Sequence, residues 1–112
     1  MYVVARLSRP TVTELRRDDG EVVVRIDAPL FYPNANAVKD QVLALAESAR
    51  VVVVDLGAST ELDVQGADTL LELAEELRRS GAELRLANVQ PAALDVLRRA
   101  GVTDQVAVAA AR

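Results

Sequence analysis

The chain has 112 residues, 51% of them apolar, and a formal net charge of −4, which leaves room for one domain around one core. It contains no cysteine and no histidine, so disulfides, thiolate metal sites, cysteine nucleophiles, the usual general base and the usual pH switch near neutrality are all excluded. Charges of both signs are spread along an acidic chain with no arginine-rich run, and no apolar stretch approaches the ~20 residues of a bilayer span, which sets aside nucleic-acid binding and membrane insertion.

Residues 1–10 show no clear period and lack the apolar stretch of a secretory signal, so they read as a lead-in. Thr11–Arg16 alternates and reads as an edge strand. Asp18-Asp19-Gly20 is a turn signal, and Glu21–Asp27 places Val22, Val24 and Ile26 on one face of a second strand. Two such runs across this turn predict a β-hairpin. Leu30-Phe31-Tyr32-Pro33-Asn34 is the aromatic spot of the chain and reads as core and strand end. Asn36 is the expected N-cap of a first helix running to Ala49, with Val38, Val42, Leu45 and Ala49 on its apolar face.

Val51–Val54 is a short, unalternating β-branched run, the pattern of a central strand covered on both faces. A polar loop, 57–63, leads into a second helix from Val64 to Arg79, whose expected buried stripe is Val64, Ala67, Leu70, Leu71, Ala74 and Leu77. Arg78, Arg79 and Gly81 close it. Leu84 and Leu86 alternate with Arg85 in a further strand. Pro91 opens a third helix lined by Leu94 and Leu97 and ended by Gly101. Residues 102–108 supply a last short strand or a helical tail. The alternation of strands and helices with short connections predicts an α/β fold in a single domain. Its sheet is mixed and mostly parallel, with an N-terminal β-hairpin and about three to four helices packed on it. The domain is expected over residues 11–108, with 109–112 as a tail.

The segment from Asp55 to Asp63 is the richest in chemistry, because open α/β sheets place ligands at the carboxyl ends of their strands. Asp55, Glu61 and Asp63 are either a cluster for a divalent cation or, in the plainer reading, a strand-end carboxylate bonded to loop amides and a helix cap. No further ligand motif accompanies them, so no metal is expected. Ser59 and Thr60 read either as phosphate acceptors on an exposed loop or as hydroxyls that satisfy backbone groups. Gly57 and Gly66 do not form a phosphate-binding loop, since no Gly-Lys-Ser/Thr follows. The serines have no histidine to activate them. Lys39, the only lysine, reads as a solvated surface charge. No catalytic residue emerges, and the chain is expected to be a non-enzyme.

Three stretches together resemble the STAS family, the sulfate-transporter and anti-sigma-factor-antagonist domains. Val23–Ile26 with Asp27-Ala28-Pro29-Leu30-Phe31-Tyr32-Pro33-Asn34-Ala35 resembles the entry into the first helix in the SulP anion-transporter branch, and Ser8-Arg9-Pro10 resembles the lead-in after the last membrane helix there. Val51–Asp55 with Leu62-Asp63-Val64-Gln65-Gly66-Ala67 resembles the central strand, loop and helix start. Gly81–Val89 and Leu97–Val102 resemble the following strand and the end of the third helix. The likeness covers about residues 8–105.

This resemblance implies a non-catalytic regulatory or protein-interaction domain on the cytoplasmic side of a SulP-type sulfate or anion transporter, at the inner face of the membrane. Its implied partners are the transporter membrane domain or a second STAS domain, and its implied contact is Asp55, Gly57, Ser59, Thr60, Asp63, Gln65 and Gly66. The alternatives it carries are a stand-alone antagonist binding an anti-sigma kinase, with Ser59 or Thr60 as phosphorylation sites, and a weak GTP- or ATP-binding regulatory domain. No other cofactor is expected. Asp63-Val64-Gln65-Gly66 departs from the antagonist pattern, which has a phosphorylated serine just before the glycine, and favours the transporter branch.

Overall fold

The structure, a computed structural model, describes residues 11–30 and 34–111. The lead-in 1–10 and the aromatic stretch 31–33 lie outside the described residues. Strands β1 (Val12–Asp18) and β2 (Glu21–Ile26) form the expected hairpin. Asp19 and Gly20 both take positive φ, 48° and 85°, the two-residue turn whose twist suits a hairpin. Helix α1 (Ala35–Leu45), strand β3 (Val51–Asp55), helix α2 (Val64–Arg79), strand β4 (Glu83–Val89), helix α3 (Pro91–Arg99), a single 3-10 turn (Val102–Asp104) and strand β5 (Ala107–Ala110) follow. The last strand thus runs past residue 108.

The five strands lie in the order β1-β2-β3-β4-β5, with β1 antiparallel and the others parallel. This order decides where the helices go. Right-handed crossovers that always step the same way across a sheet land on one face, so α1, α2 and α3 all cover the same side. Burial agrees: Val22, Val24, Ile26, Val52 and Val54 are 0% exposed and Leu86 is 2%, whereas Val23, Arg25, Val51 and Val53 are only half-buried and Glu83 and Arg85 are exposed.

The expectation of a valine strand covered on both faces is therefore corrected. One face of β3 is sealed, and the other lies in rows Glu21–Val51–Glu83, Val23–Val53–Arg85 and Arg25–Asp55–Ala87, where valines sit among charges of both signs. A β-branched run fits such a position as well as a doubly covered one, since branched side chains suit any pleated, half-buried surface.

The first helix starts at Ala35 with Asn34 as N-cap residue, not at Asn36. Asn34 Nδ2 donates to the Pro29 carbonyl at 2.8 Å, which fixes the chain ahead of the helix. The helix also ends earlier than the apolar spacing implied. Ser48 adopts φ 70°, and Ala46–Ser48 forms a turn that brings Arg50 and Val51 to donate their N–H groups to the Gly20 carbonyl. Val38 and Val42 are buried as expected, while Leu45 and Ala49 are half-buried. In α2 the sealed positions include Ala67, Leu70, Ala74 and Leu77, with Leu73 added; Val64 is not among them.

Candidate interaction surface

The loop between β3 and α2 is held by its own polar groups. Asp55 Oδ1 accepts from the Gly57 N–H at 2.7 Å and from Asn88 Nδ2 at 3.3 Å. Asn88 reaches it from the end of β4 with φ 57°, a backbone region that asparagine tolerates better than other side chains. Leu56 is 1% exposed and donates its N–H to the Ala87 carbonyl, so the loop leaves the sheet buried.

Ser59 is 1% exposed, buried where an exposed loop was expected, and it takes the alternative of a hydroxyl that satisfies backbone groups. Its Oγ donates toward the carbonyls of Ala28 at 2.7 Å and Ile26 at 3.2 Å. It pins the loop to the end of β2, and a phosphate dianion has no room there without expelling it. Thr60 and Glu61 are exposed. Leu30 bridges Leu62 in parallel fashion and donates to the Glu61 carbonyl at 2.9 Å.

Asp63 is the N-cap of α2, its Oδ1 accepting the Gly66 N–H at 2.7 Å; this is the helix-cap arrangement. Gly66 has a steric reason to be glycine: a Cβ there would stand 2.4 Å from the Leu30 carbonyl oxygen. Asp55, Glu61 and Asp63 are consequently not brought together around a common point. Among the described residues no group of three or more acidic side chains is arranged to hold a metal ion.

Two features escaped the sequence reading. Val64, expected in the buried stripe, is 63% exposed. It occupies the first position of α2, directly after the capping Asp63. Beside it runs a mostly apolar groove of about 360 Å³ lined by Asp63, Val64, Val96, Arg99 and Ala100, between the start of α2 and the end of α3. The signal available was the position of Val64 directly after a capping aspartate, where a helical stripe can extend past what it packs on. Gln65 is exposed beside it.

Lys39 also differs from its reading as a solvated charge. Its side chain is 16% exposed and lies between Glu76 at 2.8 Å and Glu72 at 3.4 Å, tying α1 to α2. The Glu76 hydrogen bond, with help from Glu72, holds its ammonium above the ordinary lysine range.

The profile of the STAS domain family matches residues 12–111. A probable sulfate transporter 4.2 of Arabidopsis thaliana is 27% identical over 101 residues, covering 79% of this chain and 15% of that protein. Among solved structures, the murine Slc26a9 anion transporter in the inward-facing state overlays with a TM-score of 0.80 at 14% identity, over 98% of this chain and 22% of that one. The SulP transporter STAS domain of Vibrio cholerae overlays with a TM-score of 0.68 at 20% identity, over 98% of this chain and 84% of that one. At these identities the structures speak for the fold. The chain spans 15–17% of the length of the curated relatives it matches.

Proposed function

This chain belongs to the STAS domain family, on its SulP-transporter side, and we propose that it is a non-catalytic interaction domain on the cytoplasmic side of a SulP-type anion transporter. It docks on the membrane domain through the end of the sheet that carries Thr60, Glu61, Val64 and Gln65. The reading draws on the relatives named as sulfate transporters and on one observation of this chain. Its only large apolar side chains exposed among the described residues are Leu15 and Val64, and Val64 stands over an apolar groove, the arrangement of an anchor residue beside its pocket.

The course of the chain supports the same end. Because β1 is antiparallel to β2, Thr11 lies beside Asp27, whose N–H it accepts at 2.7 Å. The far end, Ala111, donates to the Val89 carbonyl at 2.8 Å. Both therefore lie at the carboxyl ends of the parallel strands, beside the loop and the starts of the helices.

Two observations test this. The gene is expected to encode several long apolar spans ahead of the domain, and a separate short reading frame would overturn the transporter assignment. In a complex with the membrane domain, Val64→Glu is expected to weaken docking roughly tenfold or more while leaving the fold intact, as for an anchor at an interface centre. Unchanged docking would move the contact elsewhere.

A further inference from the structure

The stretch that carries Val64 is also the longest in the chain without a base. No lysine or arginine stands between Arg50 and Arg78, although the same stretch holds seven aspartates and glutamates. Its later acids are neutralised within the helices. Glu72 and Glu76 hold Lys39 between them, and Glu75 pairs with Arg78 and Arg79. The earlier ones lie around Val64 and are not. Glu61 and Asp68 are exposed, and their side chains make no ion pair or hydrogen bond among the described residues. Asp63, exposed as well, is the cap of α2.

The helix dipole explains part of this pattern. It favours an acid at the cap and Arg78 and Arg79 in the last turn, but its effect falls off within the first turn. Asp68 lies in the second turn and Glu61 precedes the helix, so neither is accounted for by the dipole. Asp68 follows Val64 by four residues and therefore stands on the same side of α2. Val64, 63% exposed, and the apolar groove beside it are thus bordered by Glu61, Asp63 and Asp68. Across the groove, Arg99 already pairs with Asp95 at 2.5 Å and does not answer these charges.

We propose that this surface receives a lysine- or arginine-bearing segment, whose apolar part covers Val64 while its cations meet Glu61 and Asp68. The inference rests on the docking reading above and gives its partner a chemistry: a basic cytoplasmic loop of the membrane domain. Charge complementarity selects that occupant. Loops on the cytoplasmic side of membrane proteins carry an excess of lysine and arginine. The inner leaflet has the wrong sign, since its anionic headgroups attract bases and repel a surface bordered by acids. Lysine and arginine also match the layout of the site, because their stems lie on apolar groups while their heads reach a charged rim. Rim charges govern orientation and encounter more than grip. Val64 holds the partner, and the acids choose it.

An amide-shift titration of the whole chain with a short synthetic lysine–leucine peptide is the test. Shifts are expected at residues 60–68 and should shrink as added salt screens the exposed charges. A glutamate–leucine peptide and phosphatidylserine vesicles should leave the same amides unmoved. Glu61→Gln combined with Asp68→Asn is expected to weaken the lysine–leucine peptide about fivefold or more. Asp19→Asn, at the opposite end of the sheet, should not change it. Shifts spread evenly over exposed acids, or undiminished in the double variant, would overturn the proposal. Vesicle binding at these amides would overturn it in favour of lipid. Peptide binding that emerges only after Arg6, Arg9 and Arg112 are replaced by alanine would overturn it too, by giving the acids to the chain's own ends. Docking on the membrane domain separates this inference from the reading beneath it. Docking weakened by Val64→Glu but not by the double variant keeps the docking surface and removes its cationic partner. Docking that ignores Val64→Glu, with peptide binding intact, moves the membrane contact elsewhere and leaves the site for a cationic segment standing.

Discussion

The sheet presents two faces made from the same five strands, and they follow different rules. On the covered face every central position is a valine, leucine or isoleucine with almost no exposure. On the open face, valines alternate with Arg25, Arg85, Glu21 and Glu83, and the charges are tied into local pairs: Arg16 with Glu21 at 3.0 Å, Arg85 with Glu83 at 3.0 Å, and Arg25 with Asp27. Exposed pairs of this kind add little stability. They keep a half-apolar surface wettable. Strand order, not local propensity, assigned the two roles.

That contrast can be broken at several points. The largest effect is expected on the covered side. Leu70→Ala, at a side chain 2% exposed, should cost about 2–5 kcal/mol in urea unfolding, the usual range for a leucine removed from a packed core. Gly66→Ala should cost about 1–3 kcal/mol, because a Cβ 2.4 Å from the Leu30 carbonyl forces the start of α2 away from the chain it packs on. A neutral or stabilising result would mean that helix propensity outweighs the contact. Asp63→Ala should lose about 1 kcal/mol as the cap of α2 disappears, with Asp63→Asn retaining most of it.

A smaller effect is expected at Asp27. The Thr13 hydroxyl, at 2.5 Å, and then Arg25 hold its carboxyl below the ordinary carboxylate range. A lowered pKa in the folded state adds stability that is present above the unfolded value of about 3.9 and is lost as pH falls through the folded value. Asp27→Asn should therefore lower the neutral part of the stability curve slightly, leave its low-pH end nearly unchanged, and so flatten the acid limb. The smallest change should come from Val53→Thr on the open face, within about 0.5 kcal/mol of the parent, as at ordinary surface sites. A loss comparable to that of Leu70→Ala would show that the open face is itself a core.

The elements themselves could be read in the sequence because the inward positions of β2, β4, α2 and α3 keep a clean period. The family likeness carried by Val51–Asp55 and Leu62–Ala67 was legible as well. The one-sided cover was not, because four consecutive valines look alike whether one face or two are packed. Lys39 was misread, and the partners of Ser59 stayed illegible although its reading as a hydroxyl that satisfies backbone groups holds, for a shared reason. Each is fixed by groups distant in sequence: Ser59 by carbonyls 31 and 33 residues away, Lys39 by the carboxylates of Glu76 and Glu72 on the following helix. Asn88 was overlooked as the partner of Asp55 for the same reason. Val64 was misplaced because a helical period says which side of a helix is apolar and not where along it the packing begins.

The placement of Thr11 and Ala111 at one end of the sheet also has a mechanical consequence. A load applied between these two points runs across the strands rather than along them. It therefore meets the hydrogen bonds of the β1–β2 and β4–β5 ladders one at a time, as in opening a zipper, and never shears a whole strand at once. Under tension the domain should yield early at its two borders, while β2, β3 and β4 stay together beneath their helices.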